Sequence, residues 1–334
     1  MMLGLIGEFI GLLLIIFVCS LALSEAVERL AERWGSNFAG SILLGLVTVI
    51  PEYLFVFWAV RLGEYPVALG SVTGAAAMLV TLGYGLVILT ATSRFSKQPV
   101  KTIELSKTTR IDALYLFVTA IVAVILGLIG GGLSLLDGVI LTVIYLAYVI
   151  HLYHDARKKS KKHRESGKSA PRVLAPLVVL IVCGGIIVVV SEPFVKGMVR
   201  LAEVLHVHPL AVAVILSPIA SEMPEKLTAF LTVRRNGKLA ELSICNFIGS
   251  KVNHNSLLLA VMPFTACLSG RECFFPHIVV PAFWMMTALT LIAGFSLSLG
   301  RLRHWQGWFF ALLFLLQIAV ALFFPNGPAA VLSR

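Results

Sequence analysis

The chain has little charge for its length. Lys, Arg, Asp and Glu make up 13% of its 334 residues, whereas 58% are hydrophobic and the mean hydropathy is +0.94. This scarcity of charge excludes a soluble domain of this size. Several apolar stretches reach the roughly 20 residues needed to cross a bilayer. We therefore predict an all-α polytopic membrane protein whose surroundings are the lipid bilayer, because the apolar runs are too long for barrel strands.

The chain also lacks the usual signatures of metalloenzymes and redox proteins. It has five cysteines, none of which forms a C-x-x-C pair, so a zinc or redox motif is not predicted. Cys267 and Cys273 flank a short loop that a disulfide could close, but isolated apolar cysteines are the default expectation. No H-E-x-x-H pair accompanies His254. We predict that the protein is not an enzyme and has no cofactor.

Ten apolar segments are predicted to span the membrane, in two sets of five. The first set lies near Leu3–Leu23, Phe38–Val60, Pro66–Thr90, Ala113–Ile129 and Leu133–Leu152, and the second near Val173–Ala202, Leu210–Val233, Leu239–Ala266, Val279–Leu297 and Trp308–Phe324. We interpret the first segment as a retained span rather than a signal peptide, because no basic residue precedes it. The predicted units are residues 1–152, a basic linker at 153–172, and residues 173–334.

Basic residues collect on one side of the predicted membrane. With the linker in the cytoplasm, loops on that side carry 20 of the 27 Lys and Arg residues, and loops on the opposite side carry five. The positive-inside rule then predicts a multi-pass protein of the cell membrane with both termini outside. Because the net charge of +10 follows loop topology, no nucleic-acid partner is predicted. The oligomeric state stays open.

A proline–glutamate pair occurs twice inside apolar segments. Ile50–Glu52 lies in the second predicted span, and Met223–Glu225 lies in the seventh. A charged side chain at the bilayer centre costs roughly 2.5–3.5 kcal/mol or more, so it indicates a functional site. Proline removes a backbone hydrogen bond and leaves a carbonyl free. A broken helix with an acidic side chain and free carbonyls is predicted to bind small inorganic cations.

The two motifs are five spans apart, so the second copy crosses the membrane in the opposite sense. Their surroundings support a duplication, since Thr48 precedes Pro51 as Ser221 precedes Pro224. Inverted repeats with broken helices at the midplane are typical of secondary transporters. We therefore predict two inverted five-helix repeats, with Glu52 and Glu225 at one shared site.

These motifs resemble those of the sodium/calcium exchanger (cation/calcium antiporter) superfamily. Residues 47–52 and 220–225 are similar to its G-T-S-L-P-E signature, and residues 245–250 are similar to its G-N-x-I-G-S-N segment. Residues 70–76 are a weaker match in the first half. The resemblance covers essentially the whole chain: ten spans, a central cytoplasmic linker and two repeats.

The resemblance implies a mechanism and a ligand set. It implies that spans one and six slide across the other helices, giving alternating access to calcium or sodium. Oxygen ligands of this kind suit both ions. The positions that match the superfamily motifs are Glu52, Glu225, Thr48, Ser221, Asn246 and Ser250.

Several positions depart from the superfamily pattern. In span three, polar residues are replaced by Ala75, Ala76 and Leu79, which offer no ligands. In the second repeat, charged or titratable side chains stand where the superfamily has other residues, and these are Glu222, Lys251 and His254.

The roles of these residues stay open between function and structure. Glu222 can be an ion ligand or can pair with Lys226 one helical turn away. Lys251 can act as a tethered cation or snorkel to the membrane surface. His254 can be a ligand or simply bond a neighbouring helix. Lys226 and Lys251 are the candidates for coupling.

The leading prediction is a secondary active cation antiporter that exchanges calcium by alternating access at a midplane carboxylate site. The transported ions are calcium, sodium or protons. One alternative is a proton-coupled or monovalent-cation exchanger on the same fold, which the lysines and His254 favour. The other is a non-transporting homologue that acts as a scaffold or regulator.

Overall fold

The computed structural model describes residues 2–34, 46–160 and 174–325. Helices account for most of these residues, which confirms the helical prediction. The helices are α1 (Met2–Trp34), α2 (Ile50–Leu62), α3 (Tyr65–Met78), α4 (Tyr84–Ala91), α5 (Lys107–Gly130), α6 (Leu135–Ser160), α7 (Leu174–Leu205), α8 (Pro209–Ser221), α9 (Met223–Arg235), α10 (Ala240–Asn253), α11 (Leu259–Leu268), α12 (Pro281–Ser298) and α13 (His304–Phe323). Seven helical segments of the described chain are long and apolar enough to cross a membrane. Helix α6 extends into the predicted linker as far as Ser160.

Both motif-bearing segments are interrupted where the prolines predict. In the second half, α8 ends at Ser221 and α9 begins at Met223, with Glu222 between them. In the first half, Thr48 and Val49 form a turn directly before α2. Each proline lies in the first turn of the following helix, where its missing N–H costs no hydrogen bond. The predicted helix breaks are therefore confirmed at both motifs.

Two π-turns interrupt the helices that follow these breaks. Leu79–Gly83 joins α3 to α4, and His254–Leu258 joins α10 to α11. The first begins five residues after Gly74 and the second five residues after Gly249, which are the two glycines that align in the halves. Single π-turns inside helices are frequent at functional sites. The two halves thus share a π-turn at matching positions, which could not be predicted from their sequences.

The two halves interleave in one body. Helix α1 packs along α7, α3 packs along α8, and α2 packs against α7 and α11. Small residues permit the α3–α8 contact, since a Cβ added at Gly74 would lie 2.3 Å from the Val214 carbonyl oxygen. Phe194 of α7 stacks on Phe9 of α1 and also contacts Phe55 of α2, with ring centroids 5.1 and 4.9 Å away.

Short strands tie loops together at opposite ends of α5. Strand β1 (Ile103–Glu104) pairs with β4 (Arg301–Leu302), and β2 (Gly132–Ser134) pairs with β3 (Phe274–Pro276). Each pair joins one loop of the first half to one of the second. In the predicted topology, the two loops of each pair lie on the same side of the membrane.

The loop after α11 is closed by a disulfide between Cys267 and Cys273. The default expectation of isolated cysteines was therefore wrong at these two positions, because the hairpin brings the sulfurs together. Within this loop, Arg271 donates to the Tyr65 hydroxyl at 3.1 Å and to the Arg61 carbonyl oxygen at 3.4 Å. The disulfide-closed loop of the second half thus holds the turn between α2 and α3.

Candidate cation-binding site

The centre of the molecule brings together one side chain from α2, one from the α8–α9 break and one from the second π-turn. Ligand atoms of Glu52, Glu222 and His254 all lie within 4.8 Å of one another, and the three residues are at most 2% exposed. Neither carboxylate oxygen of Glu52 has a hydrogen-bond partner among the described residues. A buried, unpartnered carboxylate is unfavourable unless a cation or a proton compensates it. This position is suited to hold either one.

The negative charge of Glu222 is already balanced by a lysine of α9. Its Oε2 accepts from the ammonium of Lys226, one turn further along, and its Oε1 lies 3.3 Å from Nε2 of His254. Lys226 is 1% exposed, and its Nζ lies 5.5 Å from the ring centre of Phe247. Of the two predicted interpretations of Glu222, the structure places it in the pair with Lys226.

His254 is oriented by its other nitrogen. Nδ1 lies 2.5 Å from the Ser250 carbonyl oxygen one turn earlier, so Nδ1 carries the hydrogen that is donated there. The hydrogen bond of Nδ1 turns the ring so that Nε2 faces Glu222 Oε1, without a hydrogen bond between them in the described chain.

Glu225 lies one turn beyond the centre, at a small cavity. Its Oε1 accepts from the Ser250 hydroxyl at 3.4 Å, and it is 7% exposed. Thr48 and Asn246 line the same cavity of about 70 Å³. Ser221 stands at the helix break, where its hydroxyl donates to the Ser217 carbonyl at 3.0 Å and keeps lone pairs for an ion. Three of the predicted residues, Thr48, Glu225 and Asn246, thus line this cavity.

Lys251 does not join this carboxylate cluster. Its side chain is fully buried, and its Nζ donates to Asn255 Oδ1 at 2.8 Å. The Asn255 amide in turn contacts the Thr119 hydroxyl of α5 at 3.4 Å. No carboxylate of the described chain lies within 4 Å of this ammonium. Of the two interpretations of Lys251, snorkelling to the membrane surface is contradicted, because the side chain is fully buried where α10 packs against α5.

A family model described as "Sodium/calcium exchanger protein" matches residues 4–154 and 175–323. The chain belongs to the sodium/calcium exchanger family. Members of this family are ion-exchanging membrane transporters rather than enzymes, and the ions are their substrates, not cofactors.

The exchanger has relatives over nearly its whole length. It is 25% identical to an uncharacterized membrane protein of Methanocaldococcus jannaschii over 316 residues, which cover 94% of this chain and 97% of that protein. It shares the fold of the H+/Ca2+ exchanger CAX with a TM-score of 0.76 and 22% identity, covering 94% of this chain and 82% of that one. It also resembles the sodium-calcium exchanger NCX_Mj with a TM-score of 0.66 and 23% identity, over 96% and 99% of the two chains.

The two halves of this exchanger contribute unequally to the site. Ser250 and His254 of α10 and its π-turn face the carboxylates, whereas Ala75 and Leu79, their counterparts after Gly74, are apolar and buried. The first half supplies Glu52 and Thr48 from around its helix break. The polarity that is missing from α3 is therefore concentrated in α9 and α10.

One hydrogen bond between the halves joins residues that are not among the predicted site residues. The Tyr53 hydroxyl of α2 donates to Asn253 Oδ1 of α10 at 2.6 Å. The available signal in the sequence was the position of Tyr53 directly after Glu52, which places both residues in the same turn of α2.

Proposed function

We propose that the protein is a secondary active antiporter that exchanges cations, with calcium as the leading carried ion, by alternating access to a site at Glu52. The supporting observation is the fully buried Glu52 carboxylate, neither of whose oxygens has a hydrogen-bond partner in the described chain. A partly dehydrated cation bound there would supply the missing compensation. Two of the structural relatives, as described, exchange calcium, one with protons and one with sodium.

The ligands that we propose come from both helix breaks. Glu52 and Glu225 supply charge, and neutral oxygens come from Thr48, Ser221, Asn246 and Ser250 around them. Glu222 and His254 complete the centre, and Lys226 and Lys251 modulate its charge. Carboxylate, hydroxyl and amide oxygens are the ligands that calcium and sodium accept.

The architecture that we propose has ten membrane spans in two inverted five-helix repeats. The repeats occupy residues 1–152 and 173–334, and the basic linker 153–172 joins them. Matched helix breaks before Pro51 and Pro224, and matched π-turns, support the repeat. Alternating access then consists of α1 and α7 moving together against the remaining helices.

The orientation that we propose puts the linker in the cytoplasm, both termini outside, and the protein in the cell membrane. The strand pairs β1–β4 and β2–β3 support the assignment of loops to common sides. The disulfide between Cys267 and Cys273 supports an outer location for its loop, because disulfides persist in oxidising surroundings.

A second candidate is a proton-coupled or monovalent-cation exchanger. It is favoured by the 3.3 Å contact between His254 Nε2 and Glu222 Oε1, which places an imidazole nitrogen beside a carboxylate oxygen at the centre. It is also favoured by the ion pair of Lys226, which reduces the negative charge available to calcium. In this case a proton gradient, rather than a sodium gradient, would drive calcium or monovalent-cation movement.

Flux measurements test both candidates. Purified protein in liposomes is given a sodium, a proton or a calcium gradient, one at a time, and calcium uptake is recorded. Glu52→Gln keeps the shape but removes the charge, so we expect uptake to fall to that of protein-free liposomes. The matched control is Glu104→Gln, a carboxylate 72% exposed beside Arg301 in the β1–β4 sheet, which should leave uptake unchanged.

The outcomes separate the alternatives. Uptake by Glu52→Gln near the wild-type rate would mean that the ion binds elsewhere. Uptake driven by protons but not by sodium favours the second candidate. Wild-type protein that neither carries nor binds any of these cations would instead be a non-transporting homologue.

A further inference from the structure

The ammonium of Lys226 lies where a cation site would hold an ion. It is paired with Glu222, and Glu222 lies within 4.8 Å of the ligand atoms of Glu52 and His254. We infer that Lys226 is a resident cation that permanently fills the cation position beside Glu222, where a mobile ion would otherwise bind. This inference rests on the proposed antiport function.

The burial of the pair argues against a purely structural role. The chain contains another glutamate–lysine pair with the same i,i+4 spacing, Glu192–Lys196 in α7, whose side chains are 32% and 48% exposed. Glu222 and Lys226 are 2% and 1% exposed, and burying two charges costs more than burying apolar side chains of equal volume. Linking one helical turn does not require this burial, as the exposed Glu192–Lys196 pair shows.

The two charges occur together in only one half of the molecule. In the aligned motifs, the counterparts of Glu222 and Lys226 are Val49 and Tyr53. Both charges are present in the second half and both are absent from the first. This is expected of a pair that acts as one unit of zero net charge.

The Glu52 carboxylate, which has no hydrogen-bond partner in the described chain, then remains at the centre for a mobile ion. The ammonium of Lys226 occupies the cation position beside Glu222, so the pair adds no net charge to the site. Lys251 does not take this place, because its ammonium is held by Asn255 on the side facing α5.

Removal of the resident cation should create an additional site. Lys226→Gln frees the Glu222 carboxylate, so calcium binding, measured by calorimetry on the purified full-length protein, should tighten about tenfold or more. Lys196→Gln removes the lysine of the exposed i,i+4 pair and serves as the matched control, with the affinity for calcium unchanged. The double variant Glu222→Gln with Lys226→Gln should lose the added affinity, because both charges are then gone.

The opposite results overturn the inference. A folded Lys226→Gln variant that binds calcium no more tightly than wild type shows that the pair has only a structural role. If this variant is unstable alone, calcium should raise its melting temperature more steeply than that of wild type, and an equal slope would also overturn the inference. A wild-type protein that shows no flux, while Lys226→Gln gains calcium binding, refutes the antiport function but leaves the resident cation in place.

Discussion

At the scale of residues, the same motif gives two glutamates with different surroundings. Glu52 is fully buried without a hydrogen-bond partner in the described chain, whereas Glu225 accepts from Ser250 and borders a cavity. The difference arises because Glu52 points to the α8–α9 break, where Glu222 and His254 are. Equivalent positions in the two proline–glutamate motifs therefore form an enclosed site and an accessible one.

Tyr53 is the residue whose removal tests the link between the halves. Tyr53→Phe deletes the hydroxyl that donates to Asn253 at 2.6 Å while keeping the ring. We expect the free energy of unfolding to fall by about 1–2 kcal/mol, because a buried amide oxygen loses this donor. Thermal unfolding in detergent should show it as a lower melting temperature.

The control for Tyr53 is Tyr84→Phe, because the buried hydroxyl of Tyr84 has no hydrogen-bond partner in the described chain. This change should leave the melting temperature nearly unchanged. Equal effects of the two variants would show that the bond between α2 and α10 adds nothing to stability.

At the scale of elements, the irregular parts of the helices build the site. The two breaks bring helix N-termini and side chains to the middle of the molecule, and the second π-turn brings His254 to Glu222. Uninterrupted α-helices would satisfy their own backbone groups and would direct these side chains differently. The helix breaks and the π-turn therefore position the ligands, and the regular helices around them keep these irregular segments in place.

Helices α3 and α8 depend on glycine for their close approach. A Cβ added at Gly74 would lie 2.3 Å from the Val214 carbonyl oxygen, and backbone atoms of α8 cannot move aside cheaply. We expect Gly74→Ala to destabilise the protein by roughly 1–3 kcal/mol or more through overpacking. Both the melting temperature and the yield of monodisperse protein should fall.

Gly184→Ala is the matched control, because a Cβ at this position in α7 meets no atom within 4 Å. Alanine is also a better helix former than glycine by about 1 kcal/mol, so this variant should be as stable as wild type or slightly more stable. A Gly74→Ala variant with the stability of Gly184→Ala would mean that α3 and α8 do not need this contact.

At the scale of the whole molecule, loops from the two halves meet at both ends of the helical bundle. Lys97 N donates to the Arg234 carbonyl at 2.8 Å at one end, and Arg271 holds the α2–α3 turn at the other. Each end thus combines both halves. A movement that opens one end must separate contacts made between the halves.

The side on which each end lies can be measured directly. In a background lacking all native cysteines, Lys101→Cys should lie on the cytoplasmic side and Glu203→Cys on the outer side, and both positions are exposed. In right-side-out vesicles, an impermeant thiol reagent should label position 203 and should label position 101 only after the membrane is opened. Labelling of position 101 in sealed vesicles, with none at 203, would reverse the proposed orientation.

Much of the fold could be predicted from the sequence, because membrane helices depend on local properties. Length and apolarity determine the long helices, and proline favours the first turn of a helix, where its missing N–H costs no hydrogen bond, as at Pro51 and Pro224. The pairing of Glu222 with Lys226 was also within reach, since residues four apart on a helix are neighbours. The disulfide between Cys267 and Cys273 was only an alternative, because the spacing permits it without requiring it.

Only the tertiary structure decided which side chains meet across helices. Lys226 and Lys251 are both lysines in apolar segments, and the sequence favoured Lys251 as the tethered cation. The packing of α10 against α5 directs Lys251 to Asn255, whereas the helix break directs Lys226 to Glu222 at the centre. The rotation of each helix and the position of each π-turn set these directions. Both are fixed by contacts between segments far apart in the chain, so no local pattern of residues contains them.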